Sequence, residues 1–148
     1  MHKYKGFELK GYRTSASRCG FDAFSADIAL LGHKVGRVVN DGNGGSTFFD
    51  WADKEAETLF SEVARTLHPD ETFEVEDTLV WDLSMVFDIN RKRSIPFLLG
   101  TDGDPMTTGM YRTCPARSRE LAVAQIVKTY DNTVRVWDKE AADFLPVA

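Results

Sequence analysis

Long apolar runs are missing from this chain of 148 residues. No stretch approaches the roughly 20 apolar residues that a helix needs to cross a bilayer, so no membrane association is expected. Cysteine is scarce as well. Cys19 and Cys114 stand far apart, and no apolar leader with a small-residue cleavage site precedes them. Neither a disulfide framework nor export is indicated, and a reduced protein of the cytoplasm is expected. Histidine occurs three times, as His2, His33 and His68, with none of the spacings that ligate zinc. None of the three adjoins a Cys or Ser in a nucleophile signature. A pairing of His68 with Cys114 in space is the one nucleophilic arrangement left open, and Cys114 before Pro115 reads more simply as a packed thiol. Proline, glycine and serine do not gather into a linker, and a hydrophobic content of 43% with three Trp is enough to bury a core. One α+β domain over residues 1–148 is expected.

Basic residues are nearly absent from the middle of the chain. Residues 41–90 hold two Lys or Arg against thirteen Asp or Glu, whereas residues 1–40 carry a net +4 and residues 91–148 a net +2. Such asymmetry bears on partners and association rates rather than on fold.

The order of elements follows from periodicity. In "FDAFSADIAL" the apolar residues Phe24, Ala26, Ile28 and Leu30 alternate, as in a strand with one buried face. Gly32 offers a turn, "KVGRVV" a second strand and "STFFDW" a third, with "YKGFELKGYR" as an additional edge strand of the same antiparallel meander. From Asp50 the spacing becomes helical: Ala52, Ala56, Leu59, Phe60, Val63 and Leu67 make a stripe, Asp50 and Asp53 suit the N-cap and N3 positions, and Pro69 ends the run. Residues 78–91 fit two patterns. Their odd positions from Leu79 to Ile89 are all apolar, as in a strand, yet Leu79, Val80, Leu83, Val86 and Phe87 also make a helical stripe. Length favours a helix. A strand at "SIPFLLG", a turn at "TDGDP", a strand near "GMYRT", a helix from about Ser118 to Tyr130 and a closing strand "TVRVWD" follow. Strands and helices are segregated rather than alternating, which argues α+β.

The hexapeptide Asn-Asp-Gly-Asn-Gly-Gly at residues 40–45 is the most conspicuous motif. It is no phosphate cradle, since no helix follows its glycines and Asp41 would repel an anion. As a calcium loop it begins well with Asp41 and Asn43, then lacks the later ligands, including the bidentate Glu at the twelfth position. Asn, Asp and Gly tolerate the positive φ of tight turns, so a hairpin turn is the leading reading. A loop in which Asp41 and Asn43 meet a partner is the second. A metal-dependent enzyme built on Asp41 with Asp102 and Asp104 of "TDGDP" would need the two loops to meet. No cofactor motif is present.

Two charged surfaces complete the inventory. The helix after Asp50 carries Asp53, Glu55, Glu57 and Glu62, the acidic run continues through Asp70, Glu71, Glu74, Glu76 and Asp77, and this belt from Asp50 to Asp88 could face a basic, nucleic-acid-binding surface of another protein. Arg91, Lys92 and Arg93, with Arg112, Arg117 and Arg119 beside Tyr111, could instead contact nucleic-acid phosphates directly.

The stretches "GHKVGRVVNDGNGG" and "IPFLLG…GMYRTCPARSRELAVAQIVKTYDN" resemble a group of small uncharacterised phage and mobile-element proteins. These have a strand hairpin ending in an Asn-Asp-Gly-x-Gly-Gly loop. The resemblance implies helices after the hairpin, then a strand pair and a last helix. It also implies a protein that binds host or defence machinery, as anti-CRISPR proteins do. It supplies no catalytic residues.

Overall fold

A computed structural model describes residues 2–16, 22–130 and 133–147. Cys19 lies outside the described residues. In chain order the elements are β1 (Phe7–Ala16), β2 (Asp22–Leu30), β3 (His33–Asn40), β4 (Phe48–Trp51), α1 (Lys54–Leu67), α2 (Val75–Asn90), β5 (Ile95–Leu98), α3 (Pro105–Thr108), β6 (Arg112–Cys114), α4 (Arg119–Tyr130), β7 (Arg135–Asp138) and β8 (Asp143–Pro146). The fold is α+β: an N-terminal antiparallel meander, then helices, then a second antiparallel sheet. Contacts group into two compact units, residues 4–87 and residues 1–3 with 88–148, and the division falls inside α2.

In the unit of residues 4–87 the sheet order is β1-β2-β3-β4, antiparallel throughout. Between β2 and β3, Leu31 and Gly32 both take positive φ, 50° and 86°, the primed turn whose twist matches that of the strands it joins. Alternation buries Phe7, Leu9, Ala26, Ile28 and Val38. On the other side of β2, Asp27 pairs with Lys34 at 3.3 Å and Arg37 at 3.1 Å. A bulge in β1 then changes the parity. Lys10 pairs with Asp27 and Arg13 with Ser25, so three steps along β1 match two along β2. One extra residue turns the inward set from odd numbers to even ones, and Tyr12 and Thr14 take up the side that Leu9 held.

α1 lays Ala56, Phe60, Val63 and Ala64 on this sheet. Phe60 is the hub: it is fully buried, with ring centroids of Phe7 at 5.1 Å, Trp51 at 5.2 Å and Phe49 at 5.9 Å. The expected assignment of Asp50 as N-cap is corrected. Asp50 pairs with Arg37 inside β4, so helical dihedrals begin only after Asp53, whose carboxylate accepts from the N–H of Glu55 at 2.9 Å and of Ala56 at 3.2 Å. α2 settles the ambiguous segment as helix. Leu79, Val80, Leu83, Met85, Val86 and Ile89 are all buried, which makes its apolar face wide enough to imitate alternation. His68, capping the end of α1, places Nε2 2.6 Å from Oδ2 of Asp82, so this buried carboxylate has a polar partner.

In the unit of residues 1–3 and 88–148 the sheet order is β6-β5-β7-β8. Its core is Phe97, Ile126, Val134 and Val136. The Trp137 indole N–H donates to Oδ1 of Asn90 at 2.8 Å, and its ring meets Phe144 edge-on at 5.1 Å. Two elements add to the expected order. The turn at "TDGDP" runs into the single-turn helix α3, capped by Asp104 with Pro105 in its first turn. β7 does not close the chain, because β8 returns beside it.

Candidate functional site

The hexapeptide loop joins β3 to β4 and is braced by its own side chains. Oδ1 of Asn40 accepts from the N–H of Gly42 at 2.8 Å, and Oδ1 of Asp41 accepts from the N–H of Asn43 at 2.9 Å. These are successive Asx turns. Gly42 and Gly44 sit at φ 74° and 80°, where a side chain is strained, whereas Gly45 does not. Asp41 and Asn43 are exposed, with the Asp41 carboxylate engaged in the loop itself. The Asn40 amide also donates to Oγ1 of Thr47 at 3.2 Å, and Thr47 in turn is hydrogen-bonded to Asp77 in the first turn of α2. Ser46 approaches Glu74 at 3.4 Å. The loop is thus tied to the start of α2.

Where loop, sheet and helix meet lies a cavity of about 570 Å³. Tyr12 and Thr14 line it after the β1 bulge, Asp22 and Phe24 from β2, Asn40 from β3, and Val80, Trp81 and Ser84 from α2. Gly44, Gly45 and Thr47 supply the loop side. The Tyr12 and Phe24 rings lie 6.0 Å apart, and Tyr12 meets Phe87 at 5.6 Å. Trp81 is 56% exposed although it sits among buried neighbours on α2. Asp77 completes the lining. Burial pushes its carboxyl above the usual carboxylate range, Thr47 opposes the rise, and Glu74 and Glu76 add to it. Of the sequence-based candidates only the acidic belt reaches this lining, at Asp77, and none includes Tyr12, Phe24 or Trp81. An Asp and a Trp four residues apart on one helix were the available signal.

The acidic candidates on α1 divide. Asp53 is engaged as the N-cap, its carboxylate accepting from the N–H groups of Glu55 and Ala56. Glu55, Glu57 and Glu62 flank one surface stripe that also carries Lys54, Thr58 and Arg65. Glu55 and Glu62 are exposed, Glu57 is half-buried, and among the described residues none of these three carboxylates is in an ion pair.

The basic candidates divide too. Arg91 pairs with Asp88 at 3.0 Å, and Arg119 donates to the main-chain oxygen of Trp137. Arg112 grips Asp102 through two bonds, Nε to Oδ2 at 2.9 Å and a second guanidinium nitrogen to Oδ1 at 3.1 Å. That guanidinium, together with the N–H of Leu99, holds the Asp102 carboxyl below its ordinary range. Lys92, Arg93 and Arg117 are exposed. Burial, then the charge of Asp88, raises the Tyr111 hydroxyl, with Arg91 opposing.

The remaining chemistry is local. Asp102 serves the ion pair with Arg112, and Asp104 serves the α3 cap. Among the described residues no three His, Cys, Asp or Glu converge as metal ligands. His68 faces Asp82, and Cys114 packs half-buried against the core of its own unit. Among the described residues no helix is long and apolar enough to cross a membrane.

No known protein family, no curated protein and no solved structure matches the chain.

Proposed function

We propose that this chain is a non-catalytic binding protein of phage or mobile-element origin. It engages a basic macromolecular partner through the acidic side of α1, as an inhibitor of a host defence complex would. The observation that carries this reading is the stripe of Glu55, Glu57 and Glu62, whose negative charges are in no ion pair among the described residues. Carboxylates held on a rigid helix attract and orient a basic surface at long range and are screened by salt. The strong acidity of residues 41–90 supports the same reading.

The experiment is capture of proteins from host lysate on the immobilised chain at low and moderate salt, beside a variant with Glu55→Lys, Glu57→Lys and Glu62→Lys. A partner lost both on raising salt and in the charge-reversed variant is the expected result. Capture indifferent to the three substitutions would overturn the reading.

A further inference from the structure

The cavity in the unit of residues 4–87 is a built feature with a definite chemical character. Its volume of about 570 Å³ lies in the range of ordinary ligand pockets, roughly 300–1,000 Å³. Its walls are aromatic, with Tyr12, Phe24 and Trp81 offering ring faces and edges. Its two carboxylic acids are Asp22 and Asp77, and among the described residues no Lys or Arg lines it. The same negative charge disfavours a phosphate, which removes nucleotides despite the aromatic walls.

We propose that this cavity receives the guanidinium group of an arginine side chain presented by a protein partner. The proposal rests on the reading of the chain as a binder of basic partners and names the group that such a partner inserts. Three features favour arginine. A guanidinium is planar and stacks on aromatic faces while forming forked bonds to a carboxylate. Asp77 presents an acceptor at the wall, with Thr47 bracing it from the loop. Burial raises the Asp77 carboxyl, Thr47 opposes the rise, and Glu74 and Glu76 add to it, so the carboxylate is less well stabilised here than in water and an arriving cation offsets that cost. The cavity is also larger than one side chain, which leaves room for the residues flanking the arginine.

The probe is the peptide acetyl-Gly-Arg-Gly-amide, titrated to millimolar concentrations and followed by the indole N–H signal of Trp81 in nuclear magnetic resonance spectra. Parallel arms use the lysine and citrulline peptides and a mononucleotide. Saturable movement of the Trp81 signal by the arginine peptide is expected, with about tenfold weaker binding by the citrulline peptide, as loss of a charged contact implies. Asp77→Asn should weaken arginine binding by a similar factor. Because that substitution removes a carboxylate that the fold disfavours, the variant should melt no lower than the parent at neutral pH, which separates lost binding from lost folding. No response to the arginine peptide, equal binding of citrulline or lysine, or preference for the mononucleotide would each overturn the proposal. If arginine binding fails while the charge-reversed α1 variant still loses its partner, the cavity assignment falls and the acidic-surface reading stands. The converse result sinks the surface and keeps the cavity.

Discussion

Three glycines in one loop allow backbone conformation to be tested apart from packing. Gly44 lies at φ 80° and Gly45 outside the left-handed region, while a Cβ added at either would meet nothing within 4 Å. Sterics with neighbours therefore cancel from the comparison. Gly44→Ala forces an L side chain into a conformation it rarely adopts and should cost about 1 kcal/mol or more. Gly45→Ala meets no such strain and mainly narrows the unfolded ensemble, so it should be neutral or stabilising by about 0.4–1 kcal/mol. Gly44→Ala should thus destabilise where Gly45→Ala does not, with midpoints separated by a few degrees on heating, since about 1 kcal/mol moves the melting temperature by roughly 2–4 °C at this size. Urea unfolding with an unchanged slope is the cleaner assay. Asp41→Ala, which removes one Asx-turn bond, belongs in the same series and should be mild. Equal destabilisation by Gly44→Ala and Gly45→Ala would refute the conformational argument. A folded Asp41→Ala protein that no longer binds its partner would show that the loop does more than turn the chain.

Asp53→Ala should cost about 1 kcal/mol in urea unfolding, because two N–H groups at the start of α1 lose their acceptor. Phe60→Ala should cost about 3–5 kcal/mol and Phe60→Leu much less, since the larger deletion empties the space between Phe7, Phe49 and Trp51. Asp102 gives a pH signature. Its folded-state pKa is depressed, so its stabilisation is complete above the unfolded value near about 4 and is lost as pH falls through the folded value. The difference in melting temperature between the parent and Asp102→Asn should therefore hold at neutral pH and close in acid. A gap independent of pH would show that Arg112 contributes nothing through charge.

The legible parts of the fold were those where one periodicity ruled. α1 has one apolar stripe against one sheet, and β2 has one buried face, so spacing alone locates both. α2 is buried around much of its circumference, and a helix buried that widely also satisfies an alternating template. β1 hides its pattern because the bulge changes parity between Leu9 and Tyr12. The single turn of α3 was written in Asp104-Pro105, a cap followed by a helix-opening proline, but the surrounding Gly and Asp residues read first as a turn. The acidic residues of α1 were visible, although only geometry distinguishes the cap at Asp53 from the unpaired carboxylates beyond it. The cavity was not visible at all. Its lining comes from β1, β2, β3, the loop and α2, and only tertiary pairing brings Tyr12 to the same place as Trp81.

The irregularity in β1 has a colloidal consequence. A ten-residue strand at the border of a sheet presents a row of main-chain groups on which another polypeptide can template. Here the row is broken near its middle, where Gly11 takes φ 61° and the pairing shifts. Each remaining segment is short, and Lys10 and Arg13 place a positive charge on either side of the break. An incoming strand loses register after a few residues, and one from an identical copy brings cations against cations. The extra residue that sets Tyr12 at the cavity therefore also hinders copies of the chain from fusing border to border into fibrils.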